Sequence, residues 1–334
     1  MGTLYYGDNL DILRRYIEDE SVDLVYLDPP FNSAQNYNAF FQEKDGTAAA
    51  AQISAFEDTW EWNQEAEHVY GELITRAGKV REVMEAFMTF LGRNDMMAYL
   101  VMMAPRLVEL RRALKKTGSL YLHCDPTASH YLKLLLDAVF GIDGYRSEIV
   151  WKRTTTHNDS KRWSDNTDTV FFYTKSRGNS ESFTWNPQHD QYSEDYLADK
   201  YRYDDGDGRG SYRLDNMTSP NPRPNMMYEW KGHASPEKGW RYSKETMAQL
   251  DAEGRIWYPS SKDKRPQLKR YLAQGKGPVM GNLWTDINPI NSQAQERLGY
   301  PTQKPVALLE RIIKASSDEG DVVPRSLLRV WYDN

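Results

Sequence analysis

The sequence predicts an α/β fold in which a helix-covered sheet is interrupted by an inserted domain. Short apolar runs alternate with amphipathic helical repeats up to residue 177, a pattern typical of a parallel sheet with crossover helices. From Lys175 to Gly281, Gly, Pro, Asn, Asp and aromatic residues replace that alternation, and helical spacing returns between Val306 and Ile313. We therefore expect a core at 1–177, an insertion at 178–280 and a return to the core at 281–334.

Composition excludes several classes of protein. The chain has 334 residues, of which 40% are hydrophobic and 27% charged, enough apolar side chain for a core and too much for a disordered chain. Its single cysteine excludes a disulfide framework. No apolar run reaches the roughly 20 residues that cross a bilayer, and the N-terminus does not resemble a signal peptide. We expect a soluble cytoplasmic protein without a membrane partner.

The first thirty residues predict a βαβ start. Leu4–Tyr6 predicts a short strand, and the turn at 7–9 begins a helix with apolar residues at helical spacing. Val22–Leu27 is a continuous apolar strand that stops at Asp28. Residues 31–94 are less regular, and Trp60–Trp62 predicts a loop that covers the core.

Asp95 is expected to cap a long helix that kinks or breaks at Pro105 and ends at Gly118. The next strand covers Ser119–His123, and Pro126 begins another helix. Two further strands are expected at Glu148–Trp151 and Thr169–Tyr173.

Charge and aromatic residues are unevenly distributed. The net charge is −6, but residues 1–150 carry −9 and residues 151–280 carry +4. Seven of the ten tryptophans lie between Trp151 and Trp284. A mildly basic, aromatic-rich segment suits a polyanion with stackable bases. An ordinary β-rich domain with a mixed surface is the alternative, and on charge alone it is favoured.

The sharpest motif is Asp28-Pro29-Pro30-Phe31, directly after the predicted buried strand. Ligands of open α/β sheets bind at the carboxyl ends of strands. The prolines fix the backbone and leave carbonyl acceptors beside a carboxylate and an aromatic ring. An exocyclic amino group could donate one hydrogen to Asp28 and one to a proline carbonyl, while Phe31 stacks on the base. The alternative is a simple strand-ending turn.

With its flanking residues, the motif resembles a known family. Val22–Ser33, "VDLVYLDPPFNS", is similar to the signature of amino-methyltransferases that modify DNA at adenine N6 or cytosine N4. Segments at Gly7–Leu13, Thr117–Gly141, Glu148–Arg153 and Asp168–Ser176 resemble the family's other core motifs in order. Leu298–Ser317 resembles the segment that leads into the cofactor site, as in the permuted subgroup where Asp-Pro-Pro precedes the cofactor loop.

The resemblance implies a fold, a reaction and site residues. The fold would be the Rossmann-like sheet of S-adenosylmethionine-dependent methyltransferases, with 178–280 as an inserted target-recognition domain. Asp28, Pro29, Pro30 and Phe31 would hold a base flipped out of double-stranded DNA. Residues near S-adenosylmethionine would be Asp8, Gln303, Lys304 and Pro305. No metal is expected, because the sulfonium supplies its own leaving group. A homodimer or a partner nuclease remains open.

The implied reaction is direct attack of the base nitrogen on the methyl group. Asp rather than Ser at the first motif position favours adenine N6 over cytosine N4. RNA or protein glutamine are alternative substrates, and the large aromatic insertion favours DNA. A DNA-binding remnant without chemistry is the alternative of another class.

Two further groups of polar residues are candidate sites. His123, Cys124, Asp125 and His130 resemble a metal cluster, but the second pair of ligands of zinc sites is missing, so a core and strand-end role is favoured. The candidate DNA contacts follow a strand or form a cationic run in the insertion: Lys152, Arg153, His157, Lys262, Lys264, Arg265, Lys269 and Arg270. A solvated surface is the alternative for these cations.

The C-terminus departs from the family pattern. After Val323 the pattern requires Leu-Asp-Pro-Phe and a Gly-rich cofactor loop, whereas this chain reads Pro324–Asn334, "PRSLLRVWYDN". A one-base shift of a back-translated sequence restores Leu-Asp-Pro-Phe-Cys-Gly-Cys-Gly-Thr-Thr, so we hypothesise a frameshift near the codon for Pro324. The expected fold is then truncated at the C-terminus, with weak cofactor binding and no catalysis.

Overall fold

The computed structural model describes residues 5, 7–29, 60–154, 161, 163–178, 182–291, 294–297 and 303–323, and the backbone of 325–326. The chain divides into two compact units. The core unit comprises Met1–Gln188 with Gly281–Asn334, and the insertion unit comprises His189–Met280. The predicted strand at Leu4–Tyr6 lies outside the described residues except for Tyr5.

The described residues form eight α-helices and nine strands. The helices are α1 Asn9–Tyr16, α2 Gln64–Thr75, α3 Lys79–Leu91, α4 Asp95–Ala113, α5 Pro126–Phe140, α6 Glu194–Lys200, α7 Lys244–Ala252 and α8 Val306–Ser316. The strands are β1 Val22–Leu27, β2 Leu114–Cys124, β3 Tyr145–Lys152, β4 Thr167–Thr174, β5 Tyr212–Asn216, β6 Ile256–Trp257, β7 Gln267–Tyr271, β8 Leu283–Trp284 and β9 Arg325–Ser326. Of these, α6, α7 and β5 to β7 belong to the insertion unit.

The core sheet has six strands in the order β8-β3-β4-β2-β1-β9, and it is mixed. β1 pairs parallel with β2 and β9, and β3 pairs parallel with β8. β4 runs antiparallel to both β2 and β3, so the expected parallel pairs are present together with one antiparallel strand. A parallel neighbour needs a long crossover, usually a helix, and the described part of the β3–β4 connection has none.

Alternate residues of β1 enter two different hydrophobic layers, as the period of a strand requires. Val25 and Leu27 face a layer built with α4 and α5. Leu24 and Tyr26 face a second layer, to which α8 contributes Leu308 and Ile312. All six residues of β1 are buried, because both faces of the strand are covered. This burial explains why the sequence of β1 is a nearly continuous apolar run.

Helix α4 differs from its prediction at both ends. Asn94, not Asp95, is the N-cap, and its side chain accepts a hydrogen bond from the Met97 backbone. The helix runs through Pro105 as one element and ends at Ala113 rather than Gly118. Gly118 instead lies inside β2, where a Cβ atom would come within 3.0 Å of the Asp23 carbonyl oxygen. The glycine is therefore needed for close strand packing rather than for ending a helix.

Helices α2 and α3 lie within residues 31–94, for which the sequence predicts less regular structure. On α3, Met84 and Phe87 are buried in the core, and Val80, Val83 and Leu91 pack against it. These residues recur at helical spacing, so the signal was present in the sequence.

The insertion unit contains a three-stranded antiparallel sheet in the order β5-β7-β6. Trp240 is fully buried at its centre, and its indole donates a hydrogen bond to the Tyr228 carbonyl at 2.8 Å. The unit starts at His189, whereas composition placed the boundary at 178. The intervening segment belongs to the core unit: Phe183 packs on the α8 layer, and Asn186 donates to the Ala315 carbonyl at 2.7 Å. Within the described residues, the helices are too short or too polar to cross a membrane.

Candidate active site

Asp28 lies at the carboxyl end of β1 and forms a buried ion pair with Lys304. The Lys304 ammonium donates to both carboxylate oxygens at 2.9 Å. The Asp28 side chain is 2% exposed and that of Lys304 is 10% exposed, so water screens this pair weakly. The first residue of the sequence motif and one residue predicted to line the cofactor site therefore meet, although 276 positions separate them.

The turn before α8 holds Lys304 in place. Gln303 donates its side-chain amide to the Glu296 carbonyl at 2.6 Å, and the Glu296 carboxylate accepts from the Val306 backbone at 3.0 Å. Pro305 is buried and precedes the first helical residue, where its fixed φ suits the entry to α8. Because α8 packs on the sheet, Lys304 is carried to the end of β1.

A second buried network lies on the neighbouring strands. Tyr26 Oη lies 2.7 Å from His123 Nδ1, and His123 Nε2 lies 2.9 Å from Asp168 Oδ2. An ionised carboxylate can only accept, so Nε2 carries the proton and Nδ1 accepts from the tyrosine hydroxyl. Arg153 Nε lies 3.2 Å from the other oxygen of Asp168 and supplies a countercharge.

The electrostatics of this network favour a neutral imidazole. Burial lowers the pKa of His123 below its usual range, and the Lys304 charge lowers it further. The hydrogen bond to Asp168 and the charge of Asp28 oppose this shift without reversing it. The ends of β1, β2 and β4 thus place an ion pair and a neutral histidine side by side. The sequence predicts His123 at the end of a strand but contains no local signal that pairs it with Tyr26 or Asp168.

The four residues that resemble a metal cluster have separate roles. His123 belongs to the network above, and Asp125 is the N-cap of α5, accepting from the Thr127 and Ala128 backbone. Cys124 is fully buried, and burial raises the pKa of its thiol well above the usual range. His130 is exposed. Across the described ranges, no group of three His, Cys, Asp or Glu residues is placed to hold a metal ion.

Asp8 lies at the N-terminus of α1. Its carboxylate caps α1, accepting from Leu10 at 2.9 Å and from Asp11 at 3.2 Å. Its second oxygen pairs with Arg106 of α4 at 2.7 Å, and Arg106 is nearly buried. The structure therefore gives Asp8 a local role in joining α1 to α4.

The remaining predicted residues are distributed unevenly. Pro29 is buried beside Asp28, whereas Pro30, Phe31 and His157 lie outside the described residues. Lys152 is exposed at the end of β3.

The cationic run of the insertion unit separates into two groups. Lys269 is paired with Asp205, and Arg270 lies 3.2 Å from Asp215. Lys262 donates to the Lys231 carbonyl at 2.8 Å. Lys264 and Arg265 are exposed, and within the described residues their side chains make no ion pair or hydrogen bond. Only the second group is placed to meet an external anion without giving up a partner.

Comparison with known proteins gives the family. A family model described as DNA methylase matches residues 22–324. The type II methyltransferase M.EcaI of Enterobacter cloacae is 26% identical over 96% of this chain and 60% of its own length. The type III restriction-modification enzyme StyLTI Mod subunit of Salmonella typhimurium is 25% identical over 95% of this chain and 46% of its own. The chain thus spans about half the length of these curated relatives.

Among solved structures, the M1.HpyAVI complex with S-adenosylmethionine is similar over 97% of this chain and 81% of that one. Its identity is 11% and its TM-score 0.36, so the family assignment rests on the sequence match alone. With a match over most of its residues, this chain belongs to the N6/N4 DNA methylase family.

Proposed function

We propose that the protein, in the reading frame that restores the Gly-rich loop after Val323, transfers a methyl group from S-adenosylmethionine to the exocyclic amino group of a base in double-stranded DNA, with adenine N6 as the target. The observation that carries the proposal is the buried Asp28 carboxylate at the end of β1, paired with Lys304. A carboxylate has about four lone-pair sites, so the two bonds from Lys304 do not exhaust its capacity to accept. It can therefore accept a hydrogen from the amino group of a base.

The chain's own residues would orient the amino group. Asp28 would accept one amino hydrogen and the Pro29 carbonyl the other, which turns the nitrogen lone pair toward the methyl group. Lys304 keeps the negative charge on Asp28 compensated while the pocket is closed to water. Positioning of this kind accounts for much of the acceleration in reactions that need no covalent intermediate.

The residues beside Asp28 fit one end of the cofactor. S-adenosylmethionine carries an amino-acid carboxylate, and the turn Gln303–Pro305 lies next to the proposed base pocket with an ammonium that also bonds Asp28 and an amide that also bonds the Glu296 carbonyl. When bound, the cofactor supplies an activated methyl group on a sulfonium. We propose that Gln303, Lys304 and Pro305 hold its methionine part. Asp8 caps α1 and pairs with Arg106, and we propose that it lies near the same part of the cofactor.

We propose further that the insertion unit recognises DNA and that the protein has a partner nuclease. The insertion unit is a separate compact body, and its exposed Lys264 and Arg265 support a role in DNA recognition. The relative StyLTI Mod is by name a subunit of a restriction-modification enzyme, which supports a partner subunit. The choice of adenine rests on Asp28 at the first motif position.

The test is methyl transfer from tritiated S-adenosylmethionine to genomic DNA, with the product nucleosides separated. N6-methyladenine is expected, and N4-methylcytosine would overturn the choice of base. The Asp28→Ala variant should lose about 3 kcal/mol of transition-state stabilisation, roughly a hundredfold in rate, with DNA binding largely intact. Near-normal transfer by this variant would contradict the assignment of Asp28.

Folding must be controlled, because Asp28→Ala leaves Lys304 buried without its partner. The Asp28→Asn/Lys304→Met variant removes both charges with side chains of similar size, so it should fold and remain inactive. Calorimetry with S-adenosylmethionine completes the test. DNA binding without any heat from S-adenosylmethionine would favour a DNA-binding remnant over an enzyme.

A further inference from the structure

The insertion unit has a groove of about 790 Å³ between β5, α6 and the segment that joins β6 to β7. The side chains that line the groove carry a net positive charge, because they include five Lys or Arg residues and two Asp residues. Two half-buried aromatic side chains, Tyr203 and Trp257, also line it. Such a combination suits a ligand that presents anionic groups and planar rings.

The lining cations differ in how far the protein already neutralises them. Lys200 lies 2.7 Å from Asp199, and Arg202 stacks on the Tyr203 ring at 5.3 Å. Lys264 and Arg265 are exposed and make no side-chain ion pair or hydrogen bond to any described residue. Arg213 is already partly neutralised, since its Nη1 lies 3.9 Å from Asp215. An incoming anion would therefore complete Lys264 and Arg265 rather than compete for them.

The backbone that carries Lys264 and Arg265 is held in place. His233 is buried, and its Nδ1 lies 2.8 Å from the Lys264 carbonyl, to which only a protonated nitrogen can donate. The Lys264 amide donates to the Ser261 carbonyl at 3.2 Å, and Pro266 is buried before β7 begins. Fixing the backbone before binding reduces the ordering cost that a flexible cationic loop would incur.

We propose that this groove binds the sugar–phosphate backbone of DNA, with Lys264, Arg265 and Arg202 each contacting a phosphate. The inference rests on the proposed function, since it takes DNA as the partner of the insertion unit. It replaces the linear run predicted from sequence, because Lys269 and Arg270 are engaged by Asp205 and Asp215. Arg202 and Arg213, which are remote in sequence from that run, join the surface.

The experiment measures the salt dependence of DNA binding. Fluorescence anisotropy of a labelled duplex of mixed sequence is followed from 50 to 200 mM NaCl, without cofactor. The groove variant is Lys264→Ala/Arg265→Ala. The control variant, Lys244→Ala/Lys276→Ala, removes the same charge from exposed residues of the same unit that do not line the groove.

Loss of two phosphate contacts should reduce the slope of log affinity against log salt by about 1.8. The affinity ratio of wild type to groove variant should accordingly fall about tenfold across this fourfold change in salt. The control variant should keep the wild-type slope. A groove variant whose slope equals that of the control would overturn the proposal. A second groove variant, Arg202→Ala, should reduce the slope by about half as much. It keeps the test decisive if Lys264→Ala/Arg265→Ala does not fold.

The salt dependence of DNA binding can be measured independently of the methyl-transfer reaction. Binding of S-adenosylmethionine, measured by calorimetry on the same preparations, should be unchanged in the groove and control variants. If the wild type binds no S-adenosylmethionine but shows the expected slopes, the proposed reaction fails and the groove stands. If it binds S-adenosylmethionine and the slopes do not differ, the groove fails and the reaction stands.

Discussion

Removing the charge of Lys304 should destabilise the core unit far more than removing any exposed lysine. The variant Lys304→Met keeps much of the side-chain volume but leaves the Asp28 carboxylate buried without its countercharge. The pair is 2% and 10% exposed, so neither group can recover its hydration by a small movement. Loss of stability is expected from the stranded charge rather than from a lost contact.

The size of the effect follows from the geometry. At 2.9 Å, Coulomb's law with an effective dielectric constant of 20 gives an attraction of about 6 kcal/mol. Desolvation of both ions offsets part of that attraction, and breaking a buried pair by removing one partner typically costs about 3–5 kcal/mol. Lys304→Met should fall in this range at neutral pH. Asp28→Asn/Lys304→Met should lie within about 1 kcal/mol of the wild type, since replacing both charges is often neutral.

The assay must report on the core unit separately, because the chain has two compact units and global unfolding need not be two-state. Hydrogen exchange of peptides from β1 and α8, followed by mass spectrometry at increasing urea, does so. Lys314→Met is the matched control: its pair with Glu310 has a similar N–O distance, 3.0 Å, but is about 60% exposed. That control should change stability by less than about 0.5 kcal/mol.

The pH dependence of stability tests whether the stranded Asp28 charge is the cause of the destabilisation. An unpaired buried carboxylate binds a proton more readily in the folded than in the unfolded chain, so the deficit of Lys304→Met should shrink as the pH falls toward 4. If Lys304→Met is no less stable than Lys314→Met, or if Asp28→Asn fails to rescue it, the account of a buried ion pair is wrong.

Three other substitutions or labels test the core unit. Because burial lowers the pKa of His123, the folded chain binds fewer protons below pH 6.5 than the unfolded chain does. The free energy of unfolding should therefore fall as the pH drops, by at most about 1.4 kcal/mol per pH unit. In urea unfolding, the stability of His123→Gln should depend less on pH between 6.5 and 5 than that of the wild type, and an equal dependence would contradict this. The Cys124 thiol, buried and with a raised pKa, should react with Ellman's reagent only after denaturation, and rapid labelling of the native protein would refute its burial. Asp8→Ala removes both the cap of α1 and the partner of Arg106, so a melting experiment should show a loss of about 1–3 kcal/mol, while Asp8→Asn, which retains a capping side chain, should lose less.

The local sequence pattern predicts the bounds of an element where those bounds depend only on residues within the element or next to it. The bounds of β1 coincide with the predicted Val22–Leu27, because burial on both faces leaves an uninterrupted apolar run. The helix from Pro126 to Phe140 was similarly evident, since a proline starts it and Gly141 ends it at a φ of 87°. The sequence of α3 also contains a helical signal, because its apolar residues recur at helical spacing.

The sequence by itself determined the α/β class, the end of β1 at Asp28 and the family of the chain, because these depend on contiguous residues. Only the tertiary structure decided that Lys304 pairs with Asp28, that His123 donates to Asp168, and that β4 runs antiparallel. It also showed that Lys264 and Arg265, unlike Lys269 and Arg270, have no acidic partner among the described residues. The physical reason is that an ion pair's energy depends on the distance and burial of two groups, and residues far apart in sequence acquire both only when the chain folds.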